Sequence, residues 1–260
     1  MRAALLFIAH VASSWTPREQ CELAVNEWHS GYCNHVGAVP AECKGLAAAA
    51  AALSTTAYTI DEASIWSSDE VDFPASLGWE FFDEVHIDQT QSVSIGNTDV
   101  DGRAVIYIHE RLGILAVAFR GTETGTWVPG MSETGTNWDT NYDKELIDCN
   151  LGENACGHLH KGFSDLYQAL QDDVVQAFNR AIAAHNPQKL LVTGHSLGAA
   201  LATLFAYEVA ATTIRAELMQ VVTFGSPRVG DPAFARQYRS VVKHTISVVA
   251  KCFYSDPGIM

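Results

Sequence analysis

The chain is predicted to fold as one α/β domain with a mostly parallel central sheet and helices on both faces. Three observations point there. Short β-rich runs alternate with segments of helical period along most of the sequence. One helix is almost wholly apolar, so it must be covered all round by other elements. The 260 residues, 48% of them apolar, supply one sizeable core and leave little for a second.

Taken in order, residues 104–108 and 114–119 are β-rich runs joined by a charged turn ending in Gly113, and read as a hairpin or adjacent strands. Phe163, Leu166, Leu170, Val174, Phe178 and Ile182 recur at steps of three and four, the mark of an amphipathic helix ending near Pro187. A strand at 190–193 follows. The next helix, about 197–211, carries Glu208 as its only charge and should be mostly buried. Residues 220–224 form another strand, Asp231 is placed to cap a short helix over about 232–238, and a last strand covers about 245–250. Such alternation makes a mostly parallel sheet covered on both sides.

The N-terminal part is organised differently. Residues 1–14 combine an early Arg2, an apolar run and small residues, and are expected to be a secretory signal peptide. Residues 15–52 hold three cysteines and an alanine run at 47–52, too short to span a bilayer and read as helix. They are expected to be an N-terminal extension, with the main domain at 53–260. Six cysteines (Cys21, Cys33, Cys43, Cys149, Cys156 and Cys252) read as disulfides in a secreted chain. Cys149 and Cys156, around a small Gly/Asn-rich loop, are the favoured pair. A metal is not expected: His158 and His160 lie near Cys156, but no tight zinc-type spacing occurs. The formal net charge of −14 argues against nucleic acid and anionic membranes as partners, and no segment reads as transmembrane.

The chemistry is concentrated at Gly194-His195-Ser196-Leu197-Gly198, between the predicted strand and the buried helix. This is the G-x-S-x-G nucleophile elbow in its required context. A tight strand-to-helix turn strains the serine backbone and lifts its hydroxyl above the sheet. A side chain at Gly194 or Gly198 would collide with neighbouring elements. The helix N-terminus beneath presents free N–H groups to a developing oxyanion, that of Leu197 among them. A second oxyanion donor belongs after an earlier strand, and Thr122 in Phe119-Arg120-Gly121-Thr122 is the candidate. Serine needs a base, and the base needs an orienting carboxylate. Asp256, just past the last strand, is the favoured acid. Asp231 is its rival.

At these residues the chain resembles the class 3 (fungal-type) lipases, which are α/β-hydrolases. The resemblance runs over about 53–257. It rests on Phe119-Arg120-Gly121-Thr122, Asn137-Trp138-Asp139, His160-Lys161-Gly162-Phe163, the segment 192–202 around Ser196, and Thr223-Phe224-Gly225-Ser226-Pro227-Arg228-Val229-Gly230. It implies Ser196 as nucleophile, Thr122 and Leu197 as oxyanion donors and Asp256 in the acid loop. It also implies a structural role for His160, a packed or hydrogen-bonded His195, and a lid over residues 123–141. The activity it implies is hydrolysis of carboxylic esters through an acyl-enzyme, most readily of triacylglycerols at a lipid–water interface, by a secreted enzyme of lipid metabolism that needs no cofactor and no metal. Other lipid or feruloyl esters stay open as substrates.

The family's triad histidine follows its acid. Here no histidine follows Asp256, and the last one, His244, begins the final strand. The expectation is therefore a C-terminally truncated α/β-hydrolase. The alternative is a catalytically impaired, lipase-like binding protein or gene-model fragment without the base.

Overall fold

The computed structural model of the chain describes residues 44–58, 78–87, 93–95, 98–100, 102–121, 145–152, 155–212 and 218–248. The expected signal peptide, most of the expected extension, the expected lid, Cys21, Cys33, Cys43, Cys252, Thr122 and Asp256 lie outside the described residues.

The main sheet has six strands: β1 (Glu80–His86), β4 (Arg103–His109), β5 (Ile114–Phe119), β8 (Lys189–His195), β9 (Met219–Phe224) and β10 (Thr245–Val248), in the order β1-β4-β5-β8-β9-β10. β1, β4 and β5 pair antiparallel, and β5, β8, β9 and β10 run parallel. Two small hairpins complete the strands: β2 (Val93–Ile95) with β3 (Thr98–Val100), and β6 (Leu146–Asp148) with β7 (His158–His160). The α-helices among the described residues are α1 (Lys44–Thr56), α2 (Lys161–His185), α3 (Leu197–Thr212) and α4 (Pro232–Val241). The predicted hairpin, crossover helices and parallel strands are all present.

Alternation along β4 and β5 splits the core in two. Ala104, Ile106, Ile108, Leu115, Val117 and Phe119 face the side covered by α2 and α3. Val105, Tyr107, Ala116 and Ala118 face α1. Small side chains at Ala116 and Ala118 let an alanine-rich helix lie close, and Ala47, Ala50, Ala51 and Leu53 of α1 are fully buried. Polar ties fix its register: Thr193 Oγ1 donates to the Ala50 carbonyl at 3.2 Å, and the Thr56 and Tyr107 hydroxyls are 3.0 Å apart. The boundary expected between residues 52 and 53 thus falls inside a helix of the core. Composition misses this, because an alanine run carries no amphipathic signal.

α3 packs on β5, β8 and β9 and is flanked by α2 and α4, which explains its uninterrupted apolar sequence. Phe205 on α3 packs against Phe119 of β5 and Phe178 of α2, with ring centroids 5.5 and 5.4 Å apart. Its one charge, Glu208, accepts hydrogen bonds from the Tyr167 hydroxyl and from Gln171 Nε2, so the carboxylate is not left unpaired. α2 ends where its sequence directs. Asn186 adopts φ 43° and donates its N–H to the Ile182 carbonyl, and Pro187 follows. Asp231 caps α4, accepting from the Phe234 N–H at 2.7 Å. A Cys149–Cys156 disulfide closes the β6–β7 hairpin, as the spacing led us to expect.

Candidate active site

Four parallel strands place their C-terminal ends together, and β8 runs straight from there into α3 through Ser196. Ser196 has φ 56°, one of two non-glycine residues with positive φ among those described. This left-handed backbone is costly for a residue with a side chain, by roughly 1–2 kcal/mol. The turn is nevertheless held on both sides. Ser196 donates its N–H to the Phe224 carbonyl at 2.9 Å, and its own carbonyl accepts from Ala199 at 3.0 Å.

The flanking glycines have no room for side chains. A β-carbon on Gly194 would lie 2.2 Å from the Gly198 carbonyl oxygen, and one on Gly198 would lie 2.2 Å from the Phe119 carbonyl oxygen. A third glycine meets them from β5, for a β-carbon on Gly121 would lie 2.5 Å from the His195 carbonyl oxygen. The exit of β5 and the elbow are therefore in backbone contact, and Phe119 pairs with Gly194 across the parallel ladder. Leu197 opens α3, where the first N–H groups have no partner within the helix. Thr122, the next residue after Gly121, lies outside the described residues.

Ser196 is buried, and its hydroxyl has no hydrogen-bond partner among the described residues. His195, its neighbour, turns away: its Nδ1 is 2.9 Å from the Tyr58 hydroxyl. Burial pushes the His195 imidazole below its ordinary value. It is the hydrogen-bonded residue the sequence suggested.

Three further histidines among the described residues, His158, His160 and His244, make contacts within the scaffold. His160 is the N-cap residue of α2 and donates its backbone N–H to the Val229 carbonyl at 3.0 Å. Burial, then the Arg228 charge, push its imidazole down. His244 precedes β10, and its carbonyl accepts from Val221 at 2.9 Å. That is the N-terminal end of the parallel strands, opposite the elbow. His158 Nδ1 meets Asp231 Oδ2 at 2.8 Å, and its Nε2 lies 3.4 Å from Asp148 Oδ1. Asp231, the rival acid, is thereby committed through both oxygens, to the α4 cap and to His158. Cys156 is held in its disulfide, and no group of three His, Cys, Asp or Glu among the described residues is arranged to hold a metal.

A family profile described as lipase (class 3) matches residues 116–252, just over half of the chain. The chain belongs to the class 3 lipase family. Among relatives, the chloroplastic phospholipase A(1) DAD1 of Arabidopsis thaliana is 33% identical over 129 residues, 47% of this chain and 28% of the relative. The secreted mono- and diacylglycerol lipase 3 of Gibberella zeae is 30% identical over 159 residues, 59% of this chain and 47% of that one. The match thus spans less than half the length of these curated relatives. A crystal structure of a lipase from Rhizopus microsporus var. chinensis superposes with a TM-score of 0.64 at 21% identity, covering 88% of this chain and 74% of that one. This likeness establishes the α/β-hydrolase fold of the chain.

Tyr58 is the residue at the site that sequence reasoning missed. Its signal is contact with residues 63 or more positions away in sequence, and no local pattern carries it.

Proposed function

We propose that this protein is a secreted serine hydrolase of carboxylic esters, a triacylglycerol lipase working at a lipid–water interface in lipid metabolism. The observation that carries the reading is the strained Ser196 between two glycines that cannot hold a β-carbon. No structural need explains a serine in that backbone state, since glycine would adopt it at lower cost. A nucleophile that must stand clear of the sheet does explain it.

In this reading the Ser196 oxygen attacks the ester carbonyl carbon while a general base, oriented by Asp256, takes its proton. The carbonyl oxygen becomes an oxyanion held by the N–H groups of Leu197 and Thr122. The alcohol leaves with a proton, and water releases the acid from the acyl-enzyme. Buried, preorganised donors of this kind are worth about 10²–10³ in rate each. The relatives named as secreted mono- and diacylglycerol lipase and as lipase support the lipid ester and the extracellular location.

Hydrolysis of tributyrin emulsion and of p-nitrophenyl butyrate tests it, with Ser196→Ala alongside. The expected result is turnover by the wild type and a loss of at least about 10³-fold in the variant. A wild type that turns over neither ester overturns the reading.

A further inference from the structure

We infer that Tyr58 is a positioning residue of this site: its hydroxyl, lodged between the His195 ring and the backbone of Gly121, fixes the oxyanion turn against the nucleophile elbow. The inference rests on the serine-hydrolase reading above.

Tyr58 lies two residues past α1, on the face of the sheet opposite α2 and α3. It is not a loose end. Its N–H donates to the Thr55 carbonyl at 3.1 Å, and that of Ala57 to Leu53 at 3.1 Å, so the phenol leaves from a fixed turn of a buried helix. From there it reaches the elbow. The Tyr58 oxygen is 2.9 Å from His195 Nδ1, and a β-carbon on Gly121 would lie 2.1 Å from the same oxygen. The His195 carbonyl oxygen would lie 2.5 Å from that same β-carbon. Hence one hydroxyl touches both halves of the site, the residue before the nucleophile and the residue before the second oxyanion donor.

The two proposed donors differ in how they are held. The Leu197 N–H is built into α3 and moves only with the helix. On the other side, the β5–β8 ladder ends at Phe119 paired with Gly194, so ladder hydrogen bonds do not reach Gly121, the residue before the other donor. Oxyanion stabilisation depends on both donors meeting one point, and a misplacement of about 1 Å costs on the order of 10²-fold in rate. Tyr58 supplies the missing constraint on the Gly121 side. His195 supplies the anchor: its ring hydrogen-bonds the phenol, and its burial favours the neutral form. Both residues touch the frame of the site rather than the reacting atoms. Their effect should therefore fall on the chemical step and spare ground-state binding.

The experiment is a kinetic comparison of the full chain with Tyr58→Phe, His195→Gln and the double variant on p-nitrophenyl butyrate, with melting temperatures recorded. The expected result for Tyr58→Phe is a kcat lower by about tenfold to a hundredfold, with KM changed less than about twofold and folding retained. The double variant should lose no more than the worse single variant, because both break one link. Wild-type kcat in Tyr58→Phe, a loss confined to KM, or multiplying losses in the double variant overturn the inference. Should Tyr58→Phe fail to fold, His195→Gln alone decides, and wild-type kcat there overturns it. An active wild type with an unaffected Tyr58→Phe defeats this inference only, whereas an inert wild type defeats the hydrolase reading and this inference together.

Discussion

Gly198, at the start of α3, rests directly on the carbonyl of Phe119 at the end of β5: a β-carbon there would come within 2.2 Å of that oxygen. The obstacle is backbone, and so is the one facing Gly194, the Gly198 carbonyl at 2.2 Å. Flexible side chains can yield to a methyl group, but paired strands and a helix start cannot. Gly194→Ala and Gly198→Ala should each destabilise the fold by about 2–3 kcal/mol, lowering the melting temperature by roughly 4–12 °C. Calorimetry checks this. Gly152→Ala is the contrast, with the Ala211 side chain at 3.3 Å as its nearest obstacle, although its φ of 82° brings a strain of its own. If Gly198→Ala melts like the wild type, the close approach of β5 and α3 is refuted.

Ser196 offers a second prediction, in the opposite direction. Its φ of 56° is unfavourable for any residue with a β-carbon. Ser196→Gly and Ser196→Ala both remove the hydroxyl, yet only glycine relieves the backbone. Ser196→Gly should be more stable than Ser196→Ala by about 1 kcal/mol, after allowing for the extra freedom glycine gains in the unfolded chain. Neither should hydrolyse esters. Denaturant titration of the pair measures the difference, and equal midpoints would show that the elbow is not strained.

Most of the parallel half of the fold was legible because its signals are local. The α2 period, the apolar α3, the β8 run and the Asp231 cap each sit within one stretch of sequence, and each is found where expected. The elbow was legible for the same reason. The antiparallel edge strand β1 was missed. Its sequence, Glu80-Phe81-Phe82-Asp83-Glu84-Val85-His86, mixes charges with apolar residues, and an irregularity between Phe81 and Asp83 breaks the period of two. α1 was cut at residue 52 because alanines give no face to read. Tyr58 escaped entirely, since its partners Gly121 and His195 are brought to it only by the folded sheet.

The link between β7 and α4 should respond to pH. His158 sits between Asp231 and Asp148, and its hydrogen bond to Asp231 raises the imidazole above its ordinary value. Burial pushes the Asp231 carboxyl up, but the hydrogen bonds from Phe234 and His158 outweigh it and bring it down to about 2. A histidine whose pKa is raised in the folded state contributes below its unfolded value, near 6.5, and that contribution fades as pH rises through the higher folded value. A carboxyl whose pKa is lowered contributes above its unfolded value, near 4, and loses it as pH falls toward 2. Both contributions overlap at about pH 4–6.5. Asp231→Asn keeps an oxygen for the Phe234 N–H and removes the charge. Its melting temperature should therefore trail the wild type most at pH 5–6 and approach it above about pH 8. In 1 M salt the gap should shrink, because the pair is solvent-accessible. Asp231→Ala loses the cap as well, an added cost of about 1 kcal/mol at every pH. A gap between wild type and Asp231→Asn that is constant from pH 5 to 9 would show that His158 does not titrate against Asp231.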